Sequence, residues 1–206
     1  MVIGIDFDNT IVSYDALFHK VAVEQGAVPT STLRTKLAVR DHLRAIDKED
    51  LWTEMQGYVY GARMAEADAY PGVLNFFKWA RVCGTEIYIV SHKTRHPFIG
   101  PAYDLHQAAR RWIETHLIDE NGALLPASRV FFEMSKEEKL NRIGTLGCDW
   151  FIDDLPEILL APKFPKHVSP ILFDPDAHHT AVPTMPRLAT WNAIQRRFEQ
   201  ACNSKP

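Results

Sequence analysis

Two acidic pairs stand out by their spacing. Asp6 and Asp8 close the apolar run Val2-Ile3-Gly4-Ile5, and Asp153-Asp154 close a second run, Asp149-Trp150-Phe151-Ile152. Residues two apart on a strand point to the same side, so Asp6 and Asp8 can project together from a strand's carboxyl end. Carboxylates brought together repel unless a cation or a shared proton offsets the charge. A divalent ion with oxygen ligands does this, and magnesium is the usual choice where phosphate is handled. A third apolar run, Glu86–Val90, ends in Ser91 and leads into a polar loop, His92-Lys93-Thr94-Arg95-His96-Pro97. His92, Lys93, Arg95 and His96 are suited to binding an anionic group on a ligand.

The elements that must position these residues alternate between strands and helices. Strands are expected at Val2–Ile5, Glu86–Val90, Arg129–Phe132, Asp149–Ile152 and Val168–Phe173, each a short apolar run bounded by turn signals. Between them, Pro71 and Gly84 bracket a helix with Leu74, Phe77 and Ala80 inward. Asp104 opens another, with Leu105, Ala108, Ala109, Trp112 and Ile113 inward. Ser135-Lys136-Glu137-Glu138 has the capping-box form, so a helix begins near Lys136, and Thr190 can cap a last one carrying Trp191, Ile194 and Phe198. Such alternation implies a parallel sheet with helices on both faces, and ligands in such sheets sit at the strands' carboxyl ends. Residues 13–69 read differently, as an all-helical insert of three helices: Asp15–Gln25, a second capped by Ser31 or Thr32, and a third capped by Asp47 with Leu51, Met55, Tyr58 and Ala62 inward. The domain expectation is a core of 1–12 and 70–206 with a helical insert at 13–69.

In this order the motifs resemble those of the haloacid dehalogenase-like superfamily. Asp6-x-Asp8-x-Thr10 is similar to its first motif, the strand ending in Ser91 to its second, Lys136 near a helix start to its third, and Asp153-Asp154 to its fourth. Lys139 lies one turn beyond Lys136 and can reach the same face. The resemblance implies a Rossmann-like five-stranded sheet of order 3-2-1-4-5, with all four motifs converging. It implies Asp6 as nucleophile, Asp8 as general acid and base, and Lys136 with Ser91 holding the transferring phosphoryl group. Thr10 and the backbone of Asn9 shape the loop; Thr10, Ser91, His92 and Lys93 are the expected substrate-binding residues. The implied magnesium ligands are Asp6, the backbone carbonyl of Asp8, and Asp153, with Asp154 as a further or outer ligand. A second carboxylate at Asp8 favours phosphoryl transfer over dehalogenation, because halide leaves unprotonated. An insert after the first motif corresponds to the family's first cap position; a phosphonatase would need a cap lysine, for which Lys20, Lys36 and Lys48 are available.

Composition sets the outer bounds. The 206 residues are 46% hydrophobic, enough for one well-cored domain with a modest insert. Twenty-three basic against twenty-six acidic residues, net charge −3, give no support to a nucleic-acid or anionic-membrane partner. Cys83, Cys148 and Cys202 have no paired spacing, which suits a reducing cytoplasm rather than a disulfide framework or a zinc site. The start has no signal-peptide pattern and no later run is long enough to span a membrane. The partner that the resemblance implies is a small phosphorylated substrate. Asp174, Asp176, His178 and His179 read as a surface turn, with a second metal site as the alternative; Tyr58, Tyr60 and Arg63 read as helix packing.

Overall fold

A computed structural model describes residues 1–180, 182–183 and 185–203. The chain divides into two compact units, Met1–Ile11 with Ala69–His92 and Leu117–Pro206, and Val12–Asp68 with Lys93–His116.

The elements in chain order are β1 (Val2–Ile5), α1 (Asp15–Glu24), α2 (Lys36–Ala45), α3 (Glu49–Tyr60), α4 (Val73–Val82), β2 (Glu86–His92), α5 (Leu105–His116), β3 (Val130–Glu133), α6 (Lys136–Thr145), β4 (Trp150–Asp153), α7 (Pro156–Leu159), β5 (Ser169–Phe173), β6 (Arg187–Leu188) and α8 (Trp191–Asn203). Short ribbons and 3₁₀ turns fill the connections.

The first unit is built on a six-stranded sheet of order β3-β2-β1-β4-β5-β6, in which every pairing is parallel. The expected order 3-2-1-4-5 is present. The expected count of five is corrected by β6, a two-residue edge strand pairing Arg187 with Leu172 and Leu188 with Phe173, too short to carry a periodicity of its own. Helices cover both faces. On one face Val90, Phe151 and Leu172 pack with Leu140 and Ile143 of α6 and Ile158 and Leu159 of α7. The other is aromatic: Trp191 of α8 lies 5.0 Å from Phe76 of α4 and 5.8 Å from Phe173 of β5. Gly4 on the central strand makes room for Phe151; a Cβ there would sit 2.5 Å from its ring.

The second unit packs α1, α2 and α3 with α5. Phe18, Val21, Val39, Leu43, Trp52, Met55 and Val59 are buried. Two expectations for the insert are corrected. The second helix starts at Lys36, capped by Thr35, whose hydroxyl accepts from Ala38 N at 3.1 Å, and not by Ser31 or Thr32. Asp47 does not cap the third: its φ of 55° is left-handed, and the helix turns Trp52, Met55 and Val59 inward. α5, expected with the core, groups with this unit. The cause is visible in α3 and its continuation: Gly57 and Gly61 leave space that Pro97 and Tyr103 fill, so a Cβ on Gly61 would lie 2.4 Å from Tyr103 Cβ. Trp112 of α5 also donates its ring N–H to the Ala67 carbonyl at 2.8 Å. No helix of the described residues is long and apolar enough to cross a membrane.

Candidate active site

The strand order reverses about β1, with β2 on one side and β4 on the other, where open α/β sheets bind ligands. Register places Ile5 opposite both Ile89 and Ile152, so the residues that follow these positions leave the sheet together. The Asp6 amide continues the ladder, donating to Ile152 O at 2.8 Å. Beyond it the chain turns through Asn9, whose φ of 58° is left-handed, a conformation Asn tolerates better than most residues. Phe7, between the two acids, is buried edge-on to Phe132 with centroids 5.7 Å apart. Trp191 pins the turn by donating its ring N–H to Thr10 O at 3.0 Å.

A cavity of about 80 Å³ opens at this point, lined by Asp6, Asp8, Asn9, Ser91, His92, Lys136, Lys139, Asp154, Leu155 and Ile158. At its base Lys139 Nζ donates to Asp6 Oδ1 at 2.6 Å and to Asp153 Oδ2 at 2.7 Å. All three groups are buried. The other Asp153 oxygen accepts from Leu155 N at 3.0 Å, and Asp154 accepts from the Thr10 hydroxyl at 3.3 Å.

Burial disfavours the Lys139 charge, but Asp153 and Asp6 outweigh it and raise its pKa above the ordinary lysine value. Burial also pushes Asp153 up to about 6, against the pull of Lys139, with the Asp6 charge adding to the rise. His92 is held below the usual imidazole value, first by partial desolvation and then by the Lys139 charge. The cluster therefore carries more negative charge than its one ammonium relieves. Asp6, Asp153 and Asp154 each offer a carboxylate oxygen, all within 4.8 Å of one another. This donor set fits a hard divalent cation: all oxygen, largely buried, and in need of positive charge. Among the described residues it is the one such cluster of three.

No protein-family model and no curated protein sequence matches the chain. Solved structures do match, over nearly its whole length. A HAD family hydrolase from Deinococcus radiodurans R1, with bound phosphate and sodium, covers 100% of this chain and 97% of its own at 13% identity and TM-score 0.61. An archaeal beta-phosphoglucomutase from Pyrococcus sp. strain ST 04 covers 99% and 100% at 11% identity and TM-score 0.57. A dehalogenase covers 95% and 96% at 14% identity and TM-score 0.56. The chain has the fold of the haloacid dehalogenase-like hydrolases.

Within this HAD-like fold, the residues singled out from sequence separate into those that meet and those that do not. Asp6, Asp8, Ser91 and His92 line one cavity, and Asp153 and Asp154 join Asp6 beside it. The Asp8 carboxylate stands outside the three-carboxylate cluster. The expectation for Lys136 is corrected. Lys136 lines the cavity, but its ammonium is exposed and pairs with Glu157 at 3.0 Å, while Lys139 takes the buried place between the acids. Side chains on a helix lean toward its N-terminus, so a lysine one turn in reaches back to the strand ends. Lys136, at the first position, points past them. Thr10, expected to bind substrate, is fully buried, and its hydroxyl donates to Asp154 at 3.3 Å. Lys93 belongs to the second unit and is not among the lining residues; its ammonium lies 4.9 Å from the Tyr60 ring centroid. Asp174 accepts from the backbone amides of His178 and His179 at 2.9 and 3.1 Å, the geometry of a carboxylate-braced turn. Leu155 and Ile158, the apolar wall, drew no attention in sequence because nothing distinguishes them from core residues.

Proposed function

We propose that this protein is a magnesium-dependent phosphatase that hydrolyses a small phosphate monoester, of the sugar phosphate or nucleotide class, through an aspartyl-phosphate on Asp6. The observation that carries this reading is the buried Asp6–Lys139–Asp153 cluster beside Asp154, within a cavity that also holds Asp8 and Ser91. A phosphate monoester is a dianion and repels an attacking carboxylate unless positive charge stands beside it. Lys139 supplies one such charge from a fixed position. Asp6, Asp153 and Asp154 would hold the cation, which neutralises the phosphoryl oxygens.

The remaining chemistry belongs to the chain. An Asp6 oxygen attacks phosphorus as the ester P–O bond breaks, and Asp8 gives its proton to the departing alkoxide. Asp8 then takes a proton from water, which attacks phosphorus, and the Asp6 carboxylate leaves. Acid–base help of this kind contributes roughly 10²–10⁴-fold. The Ser91 hydroxyl, at the cavity wall, donates to a phosphoryl oxygen. Leu155 and Ile158 keep one side of the cavity apolar, which strengthens the electrostatic interactions inside. In this reading the helical unit is the cap. Asp8 weighs against dehalogenation, since a departing halide takes no proton.

The test is phosphate release from a panel of phosphorylated metabolites and a generic aryl phosphate, with magnesium and with EDTA. Wild type is expected to release phosphate only with magnesium, Asp6→Asn to release none, and Asp8→Asn to be slowed by roughly 10²–10⁴-fold. No release by wild type across the panel, or an undiminished rate in Asp6→Asn, overturns the reading.

A further inference from the structure

We propose that Trp191 is a positioning residue for the acid step: its indole N–H holds the turn that carries Asp8, and so sets where the Asp8 carboxyl meets the departing alkoxide. The inference rests on the function proposed above. Trp191 begins α8, 181 residues from Thr10 in sequence, and is not among the residues that line the cavity. Its ring nitrogen nevertheless donates to Thr10 O at 3.0 Å, two residues beyond Asp8. The turn needs such a tether. It passes through left-handed backbone at Asn9, a conformation that a non-glycine residue keeps only where its surroundings hold it. Its own closure is one bond, from Ile11 N to Phe7 O at 3.0 Å. Thr10 is fully buried, so its carbonyl must find a donor inside the protein. Trp191 is that donor, and the next carbonyl, Ile11 O, accepts from Tyr70 N at 2.9 Å.

The indole itself has little freedom. It is fully buried, with Phe76 at 5.0 Å and Phe173 at 5.8 Å, and Tyr70 lies edge-on to Phe173 at 4.9 Å. Gly72 comes so close that a Cβ there would be 3.0 Å from Trp191 Cβ. A ring fixed on several sides fixes the direction of its N–H. Thr10 then joins that ring to the acidic cluster, its carbonyl on Trp191 and its hydroxyl on Asp154. Asp6 is held more directly, by the sheet ladder at its amide and by Lys139 at its carboxylate. Asp8 lies beyond the end of β1, on the turn. A general acid must come within about 2.6–3.2 Å of the oxygen it protonates, and an error of about 1 Å can cost about 10²-fold.

The test uses the full chain with Trp191 replaced by β-(3-benzothienyl)alanine, which keeps the fused ring and puts sulfur in place of the N–H. The same position carrying 5-fluorotryptophan, which keeps the N–H, is the control. With magnesium, kcat/KM is compared for p-nitrophenyl phosphate, whose leaving group departs without a proton, and phenyl phosphate, whose leaving oxygen is far more basic. The sulfur analogue is expected to lower kcat/KM about tenfold for phenyl phosphate, the worth of one hydrogen bond, and less than about twofold for the nitrophenyl ester. The fluorinated control should match wild type with both. An equal fall for both esters, or no fall, overturns the proposal. Hydrogen exchange needs no turnover. The Ile11 amide should exchange about tenfold faster in the sulfur analogue while α4 keeps its wild-type rates, and in wild type the Trp191 indole proton should be protected. An Ile11 amide that the analogue leaves unchanged overturns the tether. So does a wild-type indole proton that exchanges like that of a free side chain, which decides even if the analogue fails to fold. If wild type hydrolyses neither ester while Ile11 loosens in the analogue, the phosphatase reading is what fails: the acid role falls with it and the tether stands.

Discussion

The two units hold their cations in opposite ways. In the first, Lys139 is sealed between Asp6 and Asp153, and both carboxylates share its one ammonium at hydrogen-bond distance. In the second, the ion pairs about Arg63 sit at the rim. Arg63 clamps Glu66 and, at 2.7 Å, Glu24; Lys20 reaches Glu66 at 2.8 Å; and both carboxylates are well exposed. The same ion-pair chemistry therefore does different things. Inside, removing one partner leaves an unanswered charge without water; at the surface, water takes the partner's place.

The largest expected effect breaks the buried cluster. Lys139→Met leaves Asp6 and Asp153 facing each other, and should lower stability by about 3–5 kcal/mol in EDTA. Lys136→Met, on the same helix as Lys139, removes an exposed pair with Glu157 of α7, and should cost about 0–1 kcal/mol. Urea unfolding of both variants checks this; equal effects would mean that Lys139 is not the buried partner. A magnesium titration sharpens the contrast, because a divalent ion among the acids should restore more stability to Lys139→Met than to Lys136→Met.

A middle-sized effect compares close packing in the two units. Gly4 lies against the Phe151 ring and Gly61 against Tyr103, and a methyl at either overlaps its neighbour. Gly4→Ala and Gly61→Ala should each cost about 1–3 kcal/mol. Hydrogen exchange locates the damage. Gly4→Ala should raise exchange in β1 and β4, and Gly61→Ala in α3 and α5. Loosening of β1 and β4 by Gly61→Ala would show that the two packings are not separate.

Much of the first unit could be read from sequence because its signals are local. Each strand is an apolar run closed by a polar residue, Ser135 and Thr190 cap the helices expected of them, and the strand-end acids meet because parallel register brings Ile5, Ile89 and Ile152 level. Choosing between Lys136 and Lys139 needed more than spacing, since the two lie one turn apart; the lean of helical side chains leaves Lys136 exposed and buries Lys139. The second unit was harder to read because its order is set by distant partners. Thr35 caps α2 where Ser31 and Thr32 were equally plausible by type, and α5 joins the insert through glycine gaps that no periodicity records. Lys36 and Lys93 are 57 residues apart in the sequence, and only the fold sets them on one ring.

The smallest expected effect tests the surface side of the comparison through pH. Arg63 first, and Lys20 after it, hold the Glu66 carboxyl down to about 2, from an ordinary value of 4.5. A carboxylate with a lowered folded-state pKa adds stability that is fully present above its unfolded value and is lost as pH falls through its folded value. The window for Glu66 is therefore pH 4.5 down to about 2. Because the pair is exposed and screened, its contribution should stay below about 1 kcal/mol. Arg63→Met should accordingly melt slightly below wild type at neutral pH, and the gap should close across that window. It should also narrow in 1 M salt, where the Debye length falls to about 3 Å. A gap that persists below pH 2 would place the role of Arg63 in its stacking on Tyr58, 5.8 Å from the ring centroid, and not in its charge pairing.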